Sequence, residues 1–91
     1  MNELAYPATF TPDVEDGGFV ITFPDIPEAI TQADSIEEGL AEAQDCLDEA
    51  ICGRLRLKKY LPTPSKCQKK QYLIDVPAQT IIKIELVQTQ L

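Results

Sequence analysis

The carboxylates Asp25, Asp34 and Glu38 lie near predicted strand ends of this 91-residue chain, and three such groups gathered around Mg²⁺ would suit phosphodiester cleavage. Acids at strand ends are also ordinary turn formers and helix caps. A nuclease needs cations beside the phosphate, which the first half of the chain lacks. There is no histidine, GxSxG elbow, P-loop or GxGxxG stretch, so the usual nucleophilic and nucleotide-binding sites are missing. Cys46, Cys52 and Cys67 show no CxxC spacing, and no imidazole is present to complete a zinc site or activate a thiol. Cys46 and Cys52 fall six apart in a predicted helix and point to different sides, so they are badly placed to bridge. The residues predict structural thiols, with no disulfide, no metal, no cofactor and no enzymatic activity. Gly17-Gly18 is too short to cradle a phosphate and reads as a turn.

Charge is divided along the chain. Residues 1–53 carry 13 acids and no base, whereas residues 54–91 carry 8 bases and 2 acids, giving −13 and +6 within a net −7. Such a split suggests a charged partner or a functional division of the chain, and the first half would repel nucleic acid. A solvated acidic face is the plainer alternative. Lys66, Lys69 and Lys70 form a basic loop that could touch nucleic acid, but no aromatic lies among them and solvated lysines are the simpler reading.

The elements that must position these groups follow from periodicity. Tyr6, Ala8 and Phe10 share one face of a first strand in which Pro7 suggests an edge or strand end. Glu15-Asp16-Gly17-Gly18 predicts a hairpin turn into Phe19–Phe23, whose Phe19, Ile21 and Phe23 should meet Tyr6 and Phe10. Pro24-Asp25-Ile26-Pro27 forms a rigid corner before a third strand around Ala29–Gln32. Ser35-Ile36-Glu37-Glu38 has capping-box spacing and opens a long helix with an apolar stripe of Ile36, Leu40, Ala43, Leu47, Ala50, Ile51 and Leu55. Its acids lie early, and Arg54, Arg56, Lys58 and Lys59 lie at its end, as the helix dipole favours. Gly53 would loosen the last turns or permit close packing. Leu61-Pro62-Thr63-Pro64-Ser65 ends the element, and Tyr72–Val76 reads as a fourth strand. In the tail, Ile81, Ile84 and Leu91 fit a helix with Pro77 at its first position, whereas Ile82, Ile84, Leu86 and Gln88 alternate as in a strand; the helix is favoured. The expected class is α+β, an antiparallel β-β-β meander, one long helix packed on it, a further strand and a short C-terminal element.

The order of short motifs adds a resemblance. Tyr6-Pro7-Ala8, Glu15-Asp16-Gly17-Gly18, Phe23-Pro24-Asp25-Ile26-Pro27, Thr31-Gln32-Ala33-Asp34, Ser35-Ile36-Glu37-Glu38-Gly39-Leu40 and Leu61-Pro62-Thr63-Pro64-Ser65 together resemble the N-terminal half of HicB antitoxins. Ala33 stands where that family commonly has glycine, and Gly39 where alanine is common. The resemblance, covering about Tyr6 to Val76, implies a degenerate ribonuclease-H-like β-β-β-α-β domain without the nuclease's catalytic carboxylates. It also implies a toxin-neutralising role toward HicA, a small basic ribonuclease. On this basis residues 1–76 form the HicB-like domain. Residues 77–91 form a tail, either an oligomerisation element or the stub of a DNA-binding domain that HicB proteins usually carry next, so no direct DNA binding is expected of this chain alone.

The acidic surface of residues 13–49 is expected to cover the toxin's basic active face, with Asp25, Glu28, Asp34 and Glu37 as contact residues and a homodimer or homotetramer as the assembly. An oligomeric interaction module without a toxin, or less readily a residual metal-dependent nuclease, would be the alternatives. No apolar run approaches the roughly 20 residues of a membrane helix, and Met1-Asn2-Glu3-Leu4 lacks a signal-like start, so a cytoplasmic location without membrane association is expected.

Overall fold

The computed structural model describes residues 4–89. Strand β1 (Ala5–Pro12), β2 (Phe19–Thr22) and β3 (Ile30–Ala33) precede helix α1 (Ile36–Arg56), which is followed by β4 (Gln71–Asp75) and helix α2 (Ala78–Gln88). The four strands form one fully antiparallel sheet in the order β3-β2-β1-β4. The class is therefore the expected α+β one, and Ala78–Gln88 of the tail is a helix; Leu91, assigned to it from its spacing, lies outside the described residues. Pro77 has extended ψ and sits one residue before the first helical position predicted for it.

The meander follows from alternation. Tyr6, Ala8 and Phe10 of β1 are buried, and Phe10 pairs with Ile21. These side chains join Phe23, Ile26, Ala29, Ile74 and Val76 in one core that Ala43, Leu47, Ile51 and Leu55 of α1 complete. Pro7 lies in a central strand rather than at the sheet edge. The two ladders of β1 are staggered: residues 5–9 pair with β4 and residues 9–12 with β2. Pro7 thus lies beyond the end of the β2 ladder, where a missing N–H breaks no bond to β2.

The hairpin turn is built by Asp13, whose carboxylate accepts from the amides of Glu15 (3.1 Å) and Asp16 (3.2 Å). Gly17 and Gly18 take φ of 77° and 73°, which only glycine enters freely. A Cβ on Gly18 would also run into the Ala33 carbonyl, so the turn rests directly on the end of β3.

Helix α1 starts where its cap predicts. Ser35 Oγ accepts from the Glu38 amide at 3.1 Å, but the reciprocal carboxylate bond of a full capping box is absent among the described residues. The apolar stripe differs at one place. Leu40 is 38% exposed, and Gly39 is buried instead, because a Cβ there would lie 2.5 Å from the Phe10 ring. The helix lies so close to the Phe10 ring at this point that any Cβ would force the ring to shift. At Gly53 a Cβ would meet only the Arg56 guanidinium, at 3.8 Å, so no close approach requires glycine there.

The helix stops at Arg56, before the predicted Lys58 and Lys59. It packs against the sheet, and Gln44 Nε2 donates to the Asp75 carbonyl at 3.1 Å. Helix α2 adds Ile81 and Ile84 to the same core, with the Thr80 hydroxyl donating to Asp48 of α1. The molecule is elongated, 46 × 22 × 19 Å.

Candidate functional site

The predicted acidic residues occupy two separate places. Asp34 and Glu37 lie exposed at the junction of β3 and the first turn of α1. Beside them a shallow groove of about 310 Å³ is lined by Asp13, Asp16, Asp34 and Glu38, with Phe19 among its apolar residues. The hairpin turn and the helix start thus bring acids from both sides of the chain to one end of the molecule. No side chain of opposite charge lies within ion-pairing distance of these acids among the described residues. Asp34 and Glu37 are free to meet an external cation, whereas Asp13 has its carboxylate committed to the turn.

Asp25 and Glu28 sit in the corner after β2, and both are already engaged. Asp25 accepts from the Ser65 amide at 2.7 Å and the Ser65 hydroxyl at 2.5 Å. The Tyr6 hydroxyl, buried beneath, donates to the Pro62 carbonyl at 2.7 Å. Burial and the nearby Asp25 charge push the Tyr6 phenol above its ordinary range, so it remains a donor. The Tyr-Pro-Ala, Pro-Asp-Ile-Pro and Leu-Pro-Thr-Pro-Ser motifs therefore meet in space: the first two latch the third onto the sheet. Sequence reasoning found each motif but missed the latch. Its signal was the joint occurrence of a proline-rich segment and an acidic corner.

Glu28 forms a bidentate pair with Arg54, at 2.5 Å (Nε to Oε2) and 2.8 Å (Nη2 to Oε1). That bond holds the Glu28 carboxyl down at about 2, well below its usual range. The pair ties the corner before β3 to the end of α1 across 26 residues of sequence.

Asp25, Asp34 and Glu38 do not converge. Among the described residues no three His, Cys, Asp or Glu side chains are grouped as a metal ion would need. Cys46 and Cys52 are half-buried and Cys67 is exposed, all as free thiols. Burial and the Glu49 and Glu42 charges push the Cys46 thiol above its ordinary range, the reverse of what activates a nucleophile. No helix among the described residues is long and apolar enough to cross a membrane.

Comparison with known proteins gives this arrangement a family. The model of the HicB-like antitoxins of bacterial toxin–antitoxin systems matches residues 5–85. Antitoxin HicB 2 of Photorhabdus laumondii subsp. laumondii is 40% identical over 88 residues, 97% of this chain and 60% of that protein. Antitoxin HicB of Escherichia coli (strain K12) is 35% identical over 83 residues, 91% of this chain and 59% of that protein. The chain thus spans about 60% of the length of these curated relatives. A solved structure, a toxin–antitoxin complex from Streptococcus pneumoniae, has the same fold, with a TM-score of 0.71 at 20% identity, covering 88% of this chain and 73% of that one. With four antiparallel strands, one long helix and a motif order matched over residues 5–85, the chain belongs to the HicB-like antitoxin family.

Proposed function

We propose that this chain is a non-enzymatic antitoxin domain that neutralises a HicA-type messenger-RNA-cleaving ribonuclease by laying its acidic end over the toxin's basic active face. The family match over residues 5–85 carries this reading. The unpaired acids at the β3–α1 junction supply the complementary surface. Asp34 and Glu37 contact the toxin in this account; Asp25 and Glu28, already bound to Ser65 and Arg54, hold the corner before β3 in shape. The charges steer and orient the encounter, while apolar contacts hold the complex, because exposed charge by itself adds little affinity.

The test is association kinetics with a purified HicA-type ribonuclease. Reversing both charges with Asp34→Lys and Glu37→Lys should slow association about tenfold or more at low salt, and the rates of variant and parent should converge as salt rises. A rate insensitive to both salt and charge reversal would remove the acidic end from the interface. Failure to co-purify at all would remove the toxin itself.

A homodimer or homotetramer is proposed alongside. Among the described residues no strand pairs with the outer edges of β3 and β4, and Leu73, Ile82 and Leu86 are exposed on β4 and α2. On this reading residues 77–91 contribute to self-association. Light scattering that gives a monomer at micromolar concentration would rule it out.

A further inference from the structure

The opposite end of α1 carries a surface that the antitoxin reading does not use. Arg54 is neutralised by Glu28, but Arg56, Lys58, Lys59 and Lys83 have no carboxylate within ion-pairing distance among the described residues. Arg56 and Lys59 line one groove of about 620 Å³ at the helix end together with the Glu28–Arg54 pair, and Arg56 and Lys83 line a second between α1 and α2. Glu49 lines an adjoining groove with Arg56 without pairing to it.

The ordinary reason for cations here would be to satisfy the terminal carbonyls of the helix. The backbone already does that. The Lys59 amide donates to the Arg54 carbonyl at 3.1 Å and the Lys58 amide to the Leu55 carbonyl at 2.9 Å, a complete Schellman closure. Such a closure needs its penultimate residue in the left-handed region, where glycine is favoured. Here Lys58 takes it, at φ 56°. A lysine therefore stands where it costs stability relative to glycine, and its ammonium has no intramolecular partner among the described residues.

Next to these cations lies an aromatic ring. Tyr60 is 64% exposed and directly follows Lys58 and Lys59. Cations tracking a backbone, with an uncovered ring between or beside them, are the combination that binds single-stranded nucleic acid: phosphates meet the charges and a base stacks on the ring. An acidic protein partner would use the charges but have no need of the ring. Of the nearby acids, Glu28 is neutralised by Arg54, and Glu49 stands against Arg56, Lys58, Lys59 and Lys83, so the surface stays net positive. The acids at the far end of α1 do not cancel it. A 21-residue helix is about 31 Å long, several times the screening length of about 8 Å at physiological salt.

We propose that the C-terminal end of α1, with Arg56, Lys58, Lys59 and Tyr60, is a contact surface for single-stranded nucleic acid. It lies away from the acidic end and does not depend on the toxin reading.

The experiment is fluorescence anisotropy of a labelled oligouridylate of about 12 nucleotides, with the full chain alone and no toxin present. Three phosphate contacts predict a slope of about −2 in log affinity against log salt. Tyr60→Ala should weaken binding to the single strand about tenfold and leave binding to a duplex of equal length unchanged. Lys59→Glu should weaken both. The Lys58→Gly variant separates binding from folding: it should raise Tm by a few degrees while reducing affinity for the oligonucleotide. The proposal is overturned if Tyr60→Ala or Lys58→Gly leaves the affinity intact. It is equally overturned if polyglutamate displaces the oligonucleotide at equal charge concentration, which would mark a surface for acidic proteins.

Discussion

At the residue scale, the side chains that most resembled contact groups divide by what they touch. Glu28 is bound to Arg54 and held at about 2, against 4.5 for a free glutamate. Because its folded pKa is depressed, the stability it contributes is present above about 4.5 and disappears as pH falls toward 2. Its side chain is nearly half exposed, so screening limits the contribution to about 1 kcal/mol or less. Urea titrations of Glu28→Gln and parent should differ by that amount at neutral pH and coincide near pH 2; a difference independent of pH would mean that the Arg54 pair is not its source. Gly39 gives a second prediction. Alanine there gains helix propensity of about 1 kcal/mol but drives a methyl into the Phe10 ring, which Phe19 and Tyr72 hold at 6.1 and 4.8 Å. Gly39→Ala should therefore lose about 1 to 2 kcal/mol, and the loss should shrink in a Phe10→Leu background. Glycine at this position was visible in the sequence, yet its cause was not, because Phe10 lies 29 residues away.

The elements show how a stripe and a latch set the site. Leu47 is fully buried in the middle of α1, so Leu47→Ala should cost about 2 to 5 kcal/mol in chemical denaturation. A loss under about 0.5 kcal/mol would place that residue on the surface and break the described register. The segment 57–70 has no helix or strand of its own and is pinned through Tyr6 and Asp25. Tyr6→Phe removes one donor and leaves the Pro62 carbonyl unpartnered, at a cost of about 1 to 2 kcal/mol. Limited proteolysis should cut the variant faster within 57–70 than within α1. Equal protection in both proteins would show that the latch does not restrain the segment. Most strand starts were legible to within one residue, because a period of two is strongly imprinted by Tyr6, Ala8, Phe10 and Phe19, Ile21, Phe23. The end of α1 was misread, since basic residues that suit a helix terminus run on past its closure at Lys58 and Lys59.

For the whole molecule, α2 is the part whose role the sequence left most open. Its Ile81 and Ile84 are buried against the rest of the core. Ile84→Ala should destabilise the entire chain by about 2 kcal/mol or more in a single cooperative transition. A loose tail would give no change in the main transition. The direction of β4 is also a property of the whole. A strand that follows a helix by a short connection would return parallel to β1; here the segment 57–70 carries the chain back along the sheet before β4 begins, and the ladder is antiparallel. By itself the sequence determined the α+β order, the helix start at Ser35, the core face of the meander and the acidic-to-basic polarity, because these depend on local periodicity, local turn chemistry and counting. The tertiary structure alone decided that Asp25 and Glu28 are bound within the chain while Asp34 and Glu37 have no charged partner among the described residues. It alone also brought Gly39 against Phe10 and left Lys58, Lys59 and Tyr60 uncovered. Those outcomes depend on contacts between residues tens of positions apart, which no local pattern encodes.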